Sequence, residues 1–291
     1  MSKVKIIADS TCDLPENLIK KHNIGIIPLN IIFEDEVRQQ YINITNEEFY
    51  ERLEAGEEIS TGVPSPKVIK EIIEAGLEES EEVLIITLSS KLSGMFQTTS
   101  LVVRQFFDEK VTVVDSLCGT IETGLVVLEA ARKASAGKSI EEILTYLDET
   151  LIPHSHLISY AETLKYLRRS GRISRLTHLM GTVLRIKPIF HIEEGEIVSS
   201  GKVMLWQDII AAIKKLMAKM AGNQIVETMF IAHSGNPEKC QELIDYMKSL
   251  PNAPKEVLMA EVGPVVGVHV GPNTFGFVWI GNYYPEWFEH L

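Results

Sequence analysis

Apolar residues in the first half of the chain cluster in short runs that end in small polar residues. VKIIADS at 4–10 is the first, and similar runs follow at 24–33, 83–90 and 111–116. Helical patterns separate them: after Pro15, over 46–55, from Pro66 to about 77, and over 93–107, 119–136 and 139–151. Apolar strands spaced by helices predict a parallel sheet covered on both faces, a three-layer α/β arrangement.

The second half follows another rhythm. Strand patterns fall at 156–160, 187–192, 196–203, 229–233, 257–261 and 275–280, with helical patterns at 162–169, 174–185, 205–221 and 237–249. IFHIEEGEIVSSGKV at 189–203 reads as a hairpin turned at Glu194-Gly195. This predicts a mixed-sheet α/β unit. The break is placed after the last helix of the first half, giving an N-terminal domain 1–153 and a smaller C-terminal domain 154–291.

Composition narrows the function. The 291 residues carry 40 acids against 28 bases, a formal net charge of −12. Such a chain lacks the general basic surface that nucleic acid or an anionic membrane requires. Cys12, Cys118 and Cys240 lie far apart with no CxxC pair, which fits a reducing cytoplasm. The N-terminal run is too short and too quickly polar for a signal peptide. Residues 262–285 contain no Asp, Glu, Lys or Arg, but five glycines and three prolines interrupt them. That excludes a membrane-spanning helix and predicts a buried, glycine-shaped segment.

Chemistry is expected at the carboxyl ends of the parallel strands. Asp9-Ser10-Thr11, Ser89-Ser90 with Ser93-Gly94, and Asp115-Ser116 stand there. Each could simply cap a helix. Ser93-Gly94 opens a long helix, whose free N–H groups favour an anion, and Gly94 would allow close backbone approach. Thr61 lies in the turn-rich ISTGVPSP. His269 lies among Gly263, Gly267 and Gly271, whose spacing leaves one side of a helix bare, for close packing or for a ligand. No GxGxxG or GxxxxGK[ST] motif supports a nucleotide site, and a Ser93–His269 hydrolase pair lacks a GxSxG elbow. His154 and His156 form an HxH with nothing to complete a metal site. Residues 163–192 hold seven of the 28 basic residues and no acid. They form a solvated face or an anion- or protein-docking patch.

Taken in order, ADSTCDLP (8–15), TGVPSP (61–66), SSKLSGMFQ (89–97), VVDS (113–116), TLKYLRRSGRIS (163–174), KPIF (187–190) and GPVVGVHVGP (263–272) resemble the DegV family of bacterial fatty-acid-binding proteins over nearly the whole chain. The resemblance implies two α/β domains with a long-chain fatty acid between them. It implies that Thr61, Ser93 with Gly94, and His269 bind the carboxylate, and that no residue is catalytic. No cofactor or metal is implied beyond the lipid. It further implies a partner, the ATP-binding subunit of a fatty acid kinase, that makes acyl-phosphate for phospholipid synthesis. Arg169, Arg172, Arg175, Lys187 and Lys202 are candidates for docking it. The chain departs from the usual family pattern at Gly62-Val63, Met95, Ser170 and Asn273, and Met204-Leu205-Trp206 stand where basic residues are usual. Two other readings stay open: an enzyme or kinase component acting on another small carbonyl or carboxylate compound, and a lipid-responsive regulator.

Overall fold

The computed structural model describes residues 3–107, 109–172, 187–203 and 206–284. Among them the chain opens with β1 (Val4–Asp9), α1 (Glu16–Lys21), β2 (Gly25–Ile27), β3 (Asn30–Ile32), β4 (Val37–Gln39) and α2 (Asn46–Glu54). It continues through β5 (Ser60–Gly62), α3 (Pro66–Glu79), β6 (Glu82–Thr87), α4 (Met95–Phe106), β7 (Val111–Asp115), α5 (Ile121–Ser135) and α6 (Ile140–Tyr146). The rest comprises β8 (Ser155–Tyr160), α7 (Lys165–Arg169), β9 (Lys187–Glu193), β10 (Glu196–Val203) and α8 (Trp206–Met220). Last come β11 (Thr228–His233), α9 (Pro237–Ser249), β12 (Glu256–Glu261), α10 (Pro264–Val270) and β13 (Phe275–Ile280). The helix expected at 174–185 lies outside the described residues.

The protein is a mixed α/β structure. A parallel sheet has the order β2-β1-β6-β7, and a larger, mixed sheet has the order β10-β9-β8-β13-β11-β12. Strand alternation assigns the faces. On β1, Val4, Ile6 and Ala8 join the core shared with α5, while Ile7 joins the core on the α3 side. On β11, Phe230 and Ala232 face the first of these cores, and Met229 and Ile231 face the α8–α9 side. The helix α5 thus lies between the two sheets and is buried nearly all round, from Ile121 through Ala131. Gly124 allows this depth, because a Cβ there would collide with the Cys12 carbonyl oxygen.

Two local expectations change. The single strand expected at 24–33 is two, because Pro28 has no N–H to continue a ladder. β2 stays in the parallel sheet, while β3 peels away into a small antiparallel sheet ordered β4-β3-β5. Thr61 therefore sits in a strand, opposite Ile31, rather than in a turn. Ser65 then caps α3 by accepting from the Val68 N–H at 3.5 Å. Among the described residues no helix is long and apolar enough to cross a membrane.

Candidate functional site

The acids and hydroxyls at the strand ends mostly bind one another's loops. Asp9 accepts from Thr11 N–H (3.0 Å) and from Leu88 N–H (2.8 Å), joining the loop after β1 to the loop after β6. Ser10 Oγ accepts from Leu29 N–H at 3.0 Å. Asp115 accepts from Ser90 N–H and Leu117 N–H, both at 3.1 Å. Asp13 accepts from Thr120 Oγ1 (2.7 Å), Gln40 Nε2 (2.9 Å) and Gly263 N–H (3.1 Å). Gln40 Oε1 in turn accepts from Val265 N–H at 3.0 Å. This network holds the start of α10, which carries His269, against the loop after β1. Burial pushes the Asp13 carboxyl up to about 7, against the pull of these hydrogen bonds.

The glycines of α10 serve packing. A Cβ on Gly267 would lie 2.6 Å from the Phe49 ring, and Tyr50 donates to the Val262 carbonyl at 2.8 Å. A Cβ on Gly263 would run into Gln40 and Asp13, and one on Gly271 into the Tyr166 ring. The bare side therefore lets α10 approach its neighbours closely and leaves His269 free to point elsewhere.

His269 faces a slot between the carboxyl ends of the parallel strands and a face of the mixed sheet. Leu88, Leu92 and Gly119 line one wall, and Leu157, Phe190 and Ile192 the other, with Val265 and Val266 from α10. The space between atoms is about 890 Å³ with its open mouth included, of which about 100 Å³ admits the centre of a water molecule. Thr61, Ser93, Arg172 and His269 also line it. The same four reappear in shallower depressions on the surface: Thr61, Arg172 and His269 in one, Ser93 and Arg172 in another. The polar cluster thus marks the mouth of a slot whose remaining wall is mostly apolar, with the hydroxyl residues Thr11, Thr120, Ser159 and Thr274 among its lining.

Thr61 Oγ1 and His269 Nε2 are 3.0 Å apart and hydrogen-bonded. The buried Nδ1 of His269 has no hydrogen-bond partner among the described residues. Burial, then the charges of Arg172 and Arg169, drive this imidazole down to about 3, so it is neutral near pH 7. A neutral ring donating Nε2–H to Thr61 frees the Thr61 hydroxyl proton for an anion at the mouth. Ser93 Oγ accepts from Met95 N–H at 3.2 Å, and α4 begins at Met95 with Gly94 as its N-cap, two residues later than the pattern suggested. Gly94 lies outside the slot, on the depression beside it, and its φ of −76° suits any residue.

Arg172 lines the slot, a placement that residue pattern alone assigned to the docking patch. It donates to the Leu92 carbonyl (3.3 Å) and the Ser170 carbonyl (2.5 Å), and among the described residues no carboxylate pairs with it. Arg169 is exposed on α7 and lines the depression that includes Thr61 and His269. Lys187 and Lys202 fall in β9 and β10, and Arg175 lies outside the described residues. The HxH pair is structural: His154 Nδ1 bonds the Thr150 carbonyl at 3.0 Å, and His156 Nε2 bonds the Gly281 carbonyl at 3.1 Å.

A family model described as an uncharacterised protein family, DegV, matches residues 3–282. The chain belongs to the DegV family. It is 33% identical over 282 residues to a protein of Thermotoga maritima described as a fatty acid-binding protein, covering 94% of this chain and 96% of that one. A DegV domain-containing protein of Caldanaerobacter subterraneus is 32% identical, over 95% of this chain and 98% of its own. Among solved structures, a DegV-family protein from Thermus thermophilus described as binding fatty acid superposes with a TM-score of 0.89 at 27% identity. That superposition covers 96% of this chain and all of the other. A second, from Thermotoga maritima and described as revealing a fatty acid binding function, gives 0.80 at 31% identity, covering 96% of this chain and 100% of that one.

Proposed function

We propose that this protein is a non-catalytic carrier of a long-chain fatty acid, whose carboxylate it presents to the ATP-binding subunit of a fatty acid kinase. The observation that carries the reading is the division of the slot. Its interior is mostly apolar, and its mouth gathers two hydroxyls, a neutral imidazole and a guanidinium with no carboxylate partner among the described residues. A monocarboxylate with a long hydrocarbon tail matches both ends. Burying about fourteen methylenes at ~0.8 kcal/mol each gives a gross drive on the order of 11 kcal/mol. Ordering the tail takes back a large part of that. Hydrogen bonds from Thr61, Ser93 and Arg172 to the carboxylate contribute about 1.5–3 kcal/mol each and fix its orientation. The Thermotoga and Thermus relatives described as fatty-acid-binding support the same reading. So does the hydrogen-bond pattern, in which His269 engages Thr61 rather than activating Ser93 as a nucleophile. We also read residues 1–153 and 154–291 as two domains with the lipid between them, since residues from both sides of that break line the slot.

Solvent extraction of the purified protein followed by mass spectrometry tests the reading. A fatty acid of roughly tetradecanoyl to octadecanoyl length is expected from the wild type, and much less from the Thr61→Ala/Ser93→Ala double variant at an unchanged melting temperature. A sugar, a ketone, or turnover of acyl esters would overturn it in favour of an enzyme.

The partner reading has its own test. Arg169 is exposed beside the mouth, and electrostatic complementarity chiefly raises association rates. Arg169→Glu with Arg175→Glu is expected to slow acyl-phosphate formation by a cognate kinase subunit without altering lipid affinity. The loss should be greatest at low salt, where screening is weakest. Wild-type kinetics at limiting carrier and low salt would place docking elsewhere.

A further inference from the structure

The slot ends against a second, separate chamber. Leu157 and Ile192 line both. They stand one step beyond the paired residues Ile158 and His191 of β8 and β9, so they are cross-strand neighbours on one sheet face. Opposite them is the turn before α5. Gly119 lines the slot, and its neighbour Cys118 lines the chamber. A Cβ on Gly119 would lie 2.9 Å from Ile192 Cδ1 and 3.3 Å from Leu92 Cδ1. The Ile192 side chain therefore rests on bare backbone, and it separates the two spaces with Leu157 beside it.

The chamber holds about 1100 Å³ between atoms, its opening included, and about 470 Å³ of it admits the centre of a water molecule. Its wall is mixed: Leu117, Ile152, Pro153 and Ile158 give it apolar surface, and Glu122, His156 and His191 line it as well. It reaches solvent beside Asp148, Glu193 and Glu194, which are exposed. Its apolar side, one side chain from the end of the acyl slot, offers room for further methylenes.

Resting on the fatty-acid reading above, we infer that Ile192, seated on Gly119 and flanked by Leu157, is the partition that sets the longest acyl chain the slot accepts, and that the chamber behind it takes the distal carbons of longer chains when the partition yields. Below the limit, each added methylene that is buried should raise affinity by about fourfold. Beyond it, an added methylene must displace Ile192, and the gain stops.

The test is an affinity series of saturated acids from laurate to lignocerate, measured by displacement of a fluorescent fatty acid. Wild type, Ile192→Ala, Ile192→Ala/Leu157→Ala and Gly119→Ala are compared. Opening the partition is expected to move the length at which affinity stops rising toward longer acids. Gly119→Ala presses on Ile192 and Leu92 and should move it toward shorter ones. Thermal melts identify any variant that has lost its fold, and the opposite shift in Gly119→Ala decides the matter if the larger cavity is not tolerated. An unchanged length limit in folded variants that still bind acids overturns the partition alone. Failure of the wild type to bind any acid overturns the partition together with the reading on which it rests.

Discussion

Arg172→Glu is expected to lower fatty-acid affinity at neutral pH by at least about a hundredfold, since removing one charge-assisted hydrogen bond costs ~1.5–3 kcal/mol and reversal adds repulsion. The guanidinium stands at the mouth among Thr61, Ser93 and His269 with no carboxylate of its own among the described residues. In a chain of net charge −12, an arginine with no carboxylate partner among the described residues, beside a mostly apolar slot, is a ready counter-ion for an entering anion. Arg172→Lys keeps the charge but loses the planar fork, so an intermediate loss is expected. A fatty alcohol with the same tail separates charge recognition from scaffolding. The wild type should prefer the acid strongly, and Arg172→Gln should lose most of that preference while still holding the alcohol. If Arg172→Glu binds the acid as tightly as wild type and melts normally, the carboxylate lies elsewhere. If acid and alcohol weaken equally, Arg172 only braces the Leu92 and Ser170 carbonyls.

The fold was legible where local pattern and final environment agree. β1, β6 and β7 are apolar on both faces because helices cover both, and the run of residues in each shows it. The hairpin β9–β10 turns at Glu194-Gly195 as its sequence suggests, with φ of 51° and 82° at those residues. The small sheet was not legible, because three-residue strands carry no usable alternation and their pairing joins Ile31 to a residue thirty positions away. Thr61, Ser93 and His269 stood out as types in suggestive settings. Their convergence is a tertiary fact: Thr61 and His269 are 208 residues apart and meet because α10 packs on α2 and against β3 and β5. The spacing of Gly263, Gly267 and Gly271 announced a bare side of α10, but not that Phe49, Gln40, Asp13 and Tyr166 would fill it. Arg172 was hidden among other basic residues, since charge along a sequence does not tell which member of a cluster turns inward. Leu157 and Ile192 look like ordinary core residues until the two spaces they divide are seen together.

Glu122→Gln should gain stability over the wild type as pH rises from about 5 toward 8, because the opposite slope that the burial-lowered His269 and His156 contribute below about 6.5 is common to both proteins. Glu122 sits in the first turn of α5 with 1% of its surface exposed. Burial raises its carboxyl from 4.5 to about 8, while the Gly119 N–H, Ser155 and the Leu157 N–H pull it partly back. The folded protein thus keeps this proton up to about pH 8, whereas the unfolded chain releases it near 4.5. Between those values the folded state holds one more proton at this site, so this group's contribution to stability falls as pH rises. The benefit is fully present below the unfolded value and is lost as pH passes up through the folded one. The slope for one proton approaches ~1.4 kcal/mol per pH unit. Asp13, raised to about 7, adds a second group of the same sign below neutrality. Glutamine keeps the neutral shape of the protonated acid and has no proton to release. Near pH 5 the variant should match or slightly trail the wild type, because its extra N–H needs an acceptor. By pH 8 it should lead by several kcal/mol, seen as a rise in melting temperature of roughly 2 °C or more per kcal/mol for a chain of this size. Melting curves of the two proteins that run parallel across this range would show that Glu122 is already ionised in the folded state, and that the wall of the second chamber carries a charge rather than a neutral acid.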